Sequence, residues 1–237
     1  MRKIIKLSFW LVALAVAGTG AYVGFYFLYP DIGALAKKNP EKTAFMEYRE
    51  AEWEKGKKKI KIRQRWVPLS AISPFLRKAV VIAEDGRFWS HEGFDFEAIR
   101  DALEKDIKAG KPKFGASTIS QQLAKNLYLS PSKNPVRKLK EAVLTYRIEK
   151  TLSKKRILEI YLNVVEWGDG VFGAETAARR YFGKSAAALS PDEAARLAVV
   201  LPNPRKWSPV KGRYVERRAR TILAIMERQG MLEGYLD

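Results

Sequence analysis

The sequence predicts a mainly α protein, a single helical domain carried on one transmembrane helix. Two observations point there. No charged residue occurs from Leu7 to Tyr29, a run of about the 20 apolar residues a helix needs to cross the hydrocarbon core. From Ser73 onward, apolar residues recur at helical spacing in segments opened by Ser, Thr, Asn or Asp and closed by Gly or Pro. The 237 residues suit one substantial domain of roughly 200 plus an appendage, and 47% hydrophobic content is enough for a packed core. The expected partition is a cytoplasmic N-terminus at 1–6, a transmembrane helix at 7–29, a juxtamembrane segment at 30–58 and the functional domain at 59–237.

Arg2, Lys3 and Lys6 precede the apolar run, so the positive-inside rule keeps them cytoplasmic and puts everything after Pro30 across the membrane. A cleaved signal peptide is the competing reading, with small residues around Ala15 and Ala17. The run continues through Phe25, Tyr26, Phe27 and Leu28, which argues for an anchor with an interfacial aromatic belt. Residues 31–58 are polar and mixed in charge, a juxtamembrane helix or a linker, and Lys55–Lys61 is a basic cluster that anionic headgroups or plain solvent would accept. Ile60, Ile62 and Trp66 alternate with Lys and Arg, a short extended segment ending at Pro68.

Helices follow. Ser73-Pro74 reads as cap and first turn of a helix carrying Phe75, Leu76, Ala79, Val80 and Ala83 up to Glu84. Asp95 caps a second, with Ala98, Ile99, Ala102 and Leu103, ending near Gly110. Lys111-Pro112-Lys113-Phe114-Gly115 is then a flexible loop. Ser117 or Thr118 caps a third helix on Ile119, Leu123 and Leu127, and Asn134-Pro135 opens a longer one with Val136, Leu139, Val143, Ile148 and Leu152. Ser153 starts another, with Ile157, Leu158, Tyr161 and Leu162 inward. Gly168, Gly170 and Gly173 mark irregular chain before a small-residue helix around Ala174–Tyr181. A helix capped by Ser190-Pro191-Asp192-Glu193 runs to Pro202, residues 202–209 are irregular, and a last amphipathic helix carries Val215, Ala219, Ile222, Leu223 and Met226.

A formal charge of +18 calls for an anionic partner, and export across a membrane sets nucleic acid aside. The absence of Cys excludes disulfides and thiolate metal sites, and a single His excludes an all-imidazole zinc site.

Three groups could carry chemistry. Glu84 and Asp85 put two carboxylates at a helix end and loop lip, where surroundings can hold one as a general base or acid; taken alone, such a pair usually binds a neighbour such as Arg87. Gly115–Asn126 joins a glycine loop to a helix start, with Gln121 and Lys125 four apart, a cradle for phosphate or sugar or else an ordinary capped helix. Lys133–Glu141 places Arg137 and Glu141 at i and i+4, a surface ion pair or a cationic face for a leaving group. His91, two residues before Gly93, reads as a loop organiser.

Together these segments resemble the peptidoglycan glycosyltransferases of glycosyltransferase family 51, the transglycosylase domain of penicillin-binding proteins, in their monofunctional biosynthetic form. Glu84–Gly93 fits E-D-x-x-F-x-x-H-x-G, Gly115–Asn126 fits G-x-S-T-I-x-Q-Q-x-x-K-N, Arg137–Glu141 fits R-K-x-x-E, and Lys154–Asn163 fits K-x-x-I-L-E-x-Y-L-N. Four motifs in order are far more specific than one. The resemblance spans roughly residues 60–210 and implies a lysozyme-like larger lobe with a smaller membrane-proximal lobe. It implies polymerisation of lipid II, with Glu84 as the base acting on the acceptor's N-acetylglucosamine 4-hydroxyl and Glu141 as the second essential carboxylate. Lys125, Lys133, Arg137 and Lys138 would oppose the diphosphate charge. Ser117, Thr118, Gln121, Gln122 and Asn126 would position substrate, and Asp85 and Phe88 would shape the surroundings of the base.

The implied partners are lipid II, the growing lipid-linked strand, the membrane, and other cell-wall synthesis and division proteins; the implied location is the bacterial inner membrane with a periplasmic catalytic domain. Mg2+ or Mn2+ assists some members, yet no motif here compels a metal or cofactor. With the sequence ending at Asp237, no transpeptidase activity is expected. Two other readings stand beside this one: a membrane-anchored lytic enzyme that cleaves glycan, and a non-catalytic assembly scaffold. The basic second and third motifs argue against the lytic enzyme, because a cleaved glycan has no diphosphate to neutralise.

Overall fold

The computed structural model describes residues 2–111, 115–132 and 134–233. Lys133 and the centre of the expected flexible loop, residues 112–114, lie outside them. Among the described residues are ten α-helices: α1 (Arg2–Gly24), α2 (Ala44–Lys55), α3 (Pro74–Glu84), α4 (Phe96–Ala109), α5 (Ile119–Tyr128), α6 (Pro135–Thr151), α7 (Lys154–Val164), α8 (Ala174–Phe182), α9 (Pro191–Val200) and α10 (Arg213–Arg228). Three short strands accompany them, β1 (Arg63–Gln64), β2 (Glu166–Gly168) and β3 (Val171–Phe172). The fold is mainly α, as the sequence predicts.

Residues Lys6–Phe27 form a stretch of 22 long and apolar enough to cross a membrane. Its last turns meet α6, where the Lys140 ammonium donates to the Tyr22 hydroxyl at 2.6 Å and lies 3.8 Å from the ring centroid, and Arg147 donates to the Tyr26 carbonyl at 2.9 Å.

The segment 30–58 is no spacer. Thr43 caps α2 by accepting from the Met46 N–H, and α2 buries Met46 and Trp53 in the same core as α5. Beyond it the extended stretch pairs as expected: β1 lies parallel to β3, with Arg63 opposite Val171, and β2 runs antiparallel to β3. Asn163 at the end of α7 ties the neighbouring chain down, donating to the Val67 carbonyl at 2.9 Å and accepting from the Val67 N–H at 3.0 Å. Gly173 allows this close approach; its φ is 82° and a Cβ there would stand 2.7 Å from the Asn163 carbonyl oxygen.

α9 is the centre of one half of the core, buried through Ala194, Leu197, Ala198 and Val200 between α3 and α10. α5 is the centre of the other, against α2, α6 and α7. One sequence expectation is corrected, and two helices turn apolar residues outward. Ser73 precedes α3 but does not cap it: its hydroxyl donates across the fold to the Leu189 carbonyl at 3.0 Å. Leu139 is exposed, because α6 turns Glu141, Leu144, Thr145 and Ile148 inward instead. α4 is capped by Asp95 and closed by Gly110 as predicted, yet it buries no residue, and Phe96, Ile99, Leu103 and Ile107 face outward.

Candidate active site

The site is assembled where the end of α3 meets the start of α5. Asp85 is the clamp. Its carboxylate accepts from His91 Nε2 at 2.9 Å and from the Ile119 N–H at 2.9 Å, so the loop after α3 is fastened to the first turn of α5, where the helix dipole favours an anion. His91 Nδ1 accepts from the Gly93 N–H at 3.0 Å, which leaves the Nε2 proton for Asp85. The Gly93 carbonyl in turn accepts from the Thr118 hydroxyl at 2.7 Å. Gly93 has φ 91°, and a Cβ there would press on Glu149 and Thr145 at 2.9 and 3.0 Å. His91 therefore organises the loop, as its sequence context suggested.

Several predicted substrate-binding residues are occupied in holding this frame. Thr118 and Gln121 form a reciprocal capping box at the start of α5 and are buried. Phe88 is wholly buried, edge-on to Trp89 at 5.0 Å and beneath the Lys154 ammonium at 4.6 Å. Asp85, Phe88, Thr118 and Gln121 thus support the site from behind. Ser117 is exposed at its lip, and Asn126 is buried one turn beyond Gln122.

Glu84, the last residue of α3, faces α5. Its Oε2 accepts from Gln122 Nε2 at 2.8 Å, while Oε1 is closed off from solvent and has no hydrogen-bond partner among the described residues. Burial pushes its carboxyl above the usual range, opposed by the Gln122 hydrogen bond and the Lys125 charge and reinforced by Asp85. Gln122 is held on its other side, where Oε1 accepts from the Tyr161 hydroxyl at 2.9 Å. Tyr161 is completely buried, and that hydroxyl determines which end of the amide points at Glu84. Its place in a helix read as core concealed this role; the signal available was a Tyr inside the fourth motif.

One turn along α5 from Gln121, Lys125 lies in the fields of both carboxylates. Burial pushes its ammonium below the usual range; Glu141 and Glu84 oppose this, and Arg137 and Lys138 add to it. Glu141 is no member of a surface pair, being 3% exposed. It is held by Arg137 Nη1 at 2.6 Å and by the Lys138 ammonium, and Arg137 Nε is fixed by the Ser132 carbonyl at 2.6 Å. The two faces complement each other: a partly dehydrated carboxylate with one free oxygen, and a cationic wall of Lys125, Arg137 and Lys138 on α5 and α6. Such opposed shifts in one cleft mark a site of chemistry more often than of stability. A dehydrated carboxylate suits proton abstraction, and the cations suit a leaving group that gathers negative charge.

Comparison with known proteins agrees with this geometry. The sequence model described as Transglycosylase matches residues 54–227. A biosynthetic peptidoglycan transglycosylase of Azoarcus sp. is 55% identical over 181 residues, covering 76% of this chain and 78% of the relative. Those of Nitrosospira multiformis and Janthinobacterium sp. are 46% and 44% identical, covering 93% and 95% of this chain and 96% and 97% of theirs. The residues that join Glu84 to the cationic wall all lie inside the matched region, and the chain belongs to the transglycosylase family.

Proposed function

We propose that this protein is a peptidoglycan glycosyltransferase that polymerises lipid II into glycan strands at the bacterial inner membrane. One observation carries the mechanism: the dehydrated Glu84 carboxylate stands next to the cationic wall of Lys125, Arg137 and Lys138, with Gln122 and Lys125 on one helix between them. In the reaction, Glu84 takes the proton from the 4-hydroxyl of the acceptor's N-acetylglucosamine. The freed oxygen pair forms a bond to the anomeric carbon of the donor's N-acetylmuramic acid from the face opposite the leaving group. The bond from that carbon to the diphosphate oxygen breaks, and undecaprenyl diphosphate departs with the electron pair, inverting the centre. Lys125, Arg137 and Lys138 oppose the developing charge, so no strong general acid is needed. Glu141 holds Arg137 and Lys138 in place for this.

A lipid-linked donor requires the leaving-group site to lie at the membrane, and the packing supports that. A cavity of about 500 Å3 separates the end of the anchor from the cationic helix, lined by Tyr22, Tyr26, Tyr128, Arg137 and Lys140 among others. On this reading the anchor passes the membrane once, with the N-terminus cytoplasmic and the domain periplasmic, and protein partners come from the cell-wall synthesis and division machinery. As for Mg2+ or Mn2+, no three His, Asp or Glu side chains converge on one point among the described residues, and no step here passes through a metal.

The test is incubation of the detergent-solubilised chain with lipid II and, separately, with isolated sacculi. Polymer from lipid II with intact sacculi is the expected result. Shortened sacculus strands without polymer would make the protein a lytic enzyme instead.

A further inference from the structure

A second cavity is separate from the residues just described. A groove of about 690 Å3 runs between α3 and α7, with Met231 also in its lining. That volume is in the range of sites that hold small ligands. Its walls are apolar where Leu69, Val81 and Leu158 line it, and Trp89 stands at its edge with half its surface exposed. Besides Ser70 and Ser153, its polar side chains are the cations Arg77, Lys78, Lys155 and Arg156 and the carboxylate Glu159.

The charge there is not balanced. Among the described residues Glu159 is the one carboxylate lining the groove, and it is spent, accepting from Arg156 and from the Leu69 N–H at 2.8 Å. Arg156 is spent too, on Glu159 and on the Leu35 and Lys38 carbonyls. Arg77 is the opposite case. Its Nε is buried without a hydrogen-bond partner among the described residues, a donor that has lost water and gained nothing in return. A planar guanidinium sharing the lining with two ammonium groups fits a carboxylate, and an exposed indole beside apolar walls fits the flat face of a ring.

We propose that this groove is a second binding site, which takes a ring-bearing carboxylate, the chemistry of a sugar substituted with an acidic peptide. The choice of that ligand rests on the polymerase reading, since a peptidoglycan strand repeats such units. Bound there, a stretch of strand would lie along the side of α3 whose end carries Glu84.

Isothermal titration calorimetry on the full chain in detergent tests this, with a soluble disaccharide-peptide fragment that has no lipid and no diphosphate. The free-acid fragment binds, and its fully amidated counterpart binds about tenfold more weakly or worse, as losing a charge-assisted hydrogen bond requires. Arg77→Met causes a comparable loss, Trp89→Ala and Lys155→Gln give smaller ones, and none of the three changes the initial rate on lipid II. Trp89 and Lys155 are exposed, so their variants remain informative should Arg77→Met fold poorly. Amide exchange in the presence of the fragment slows in residues 74–81 and 153–159. No binding, equal binding of the acid and amidated fragments, or protection confined to α5 and α6 would overturn the proposal. Failure of the polymerase reading is distinguishable: fragment binding would persist with these sensitivities while lipid II gave no polymer.

Discussion

Gln122→Ala isolates the link between geometry and chemistry. The Gln122 amide donates to Glu84 at 2.8 Å and is the largest influence lowering a carboxyl that burial raises. A hydrogen bond to a charged group contributes about 1.5–3 kcal/mol, so losing it disfavours the charged form of Glu84 by about that much. Glu84 is partly open to solvent as a residue, so the lower end of that range is expected. The sign is fixed by the role. A base works deprotonated, so activity falls as pH falls through its pKa, and removing the amide moves that acid limb to higher pH. The assay is kcat/KM on lipid II from pH 5 to 9. Tyr161→Phe leaves the amide but frees it to turn, so the limb moves the same way by less. An acid limb that stays in place in both variants, or moves to lower pH, would refute the assignment of Glu84 as the base held by Gln122.

Four further outcomes follow from the structure. Lys125→Ala lowers kcat on lipid II by about 10²–10³, the usual loss for one group that stabilises transition-state charge, with the thermal midpoint little changed. Trp53→Ala destabilises the domain by about 3–5 kcal/mol in denaturant unfolding, because the indole is 1% exposed in the core despite lying in the segment next to the anchor. Gly93→Ala costs about 1–3 kcal/mol through its φ of 91° and lowers activity as well, since the Gly93 carbonyl holds Thr118. Glu84→Gln is at least as stable as the parent at pH 7. Folding raises the Glu84 pKa, so stability is greatest below the unfolded value of about 4.3 and declines as pH rises through the folded one. The amide removes that penalty, and the difference between the two proteins narrows towards pH 4.

The helices were legible because their signals are local. Asp95, Thr118, Asn134, Ser153 and Ser190 cap the helices their positions predict, each through its own side chain. What failed depends on distant partners. Ser73 looks like a cap and instead bonds to Leu189, 116 residues away. In α6 the inward positions go to Glu141, Leu144, Thr145 and Ile148, which residue type alone does not reveal, since Glu141 is neutralised only by Arg137 and Lys138 in the same helix. Of the predicted site residues, Glu84, Gln122, Lys125, Arg137, Lys138 and Glu141 converge. Thr118 and Gln121 carry the same motif but serve each other, and no short pattern separates a residue that touches substrate from one that holds the loop. Tyr161 went unassigned because a buried aromatic at helical spacing looks like core until its hydroxyl's partner is seen.

The most direct test of the central claim compares Glu84→Gln with the parent protein in one lipid II polymerisation assay, with thermal unfolding recorded on the same samples. The account predicts a folded variant, with a midpoint no lower than the parent's, that makes no polymer while the parent makes strands. Parental polymer yield from the folded variant would contradict it.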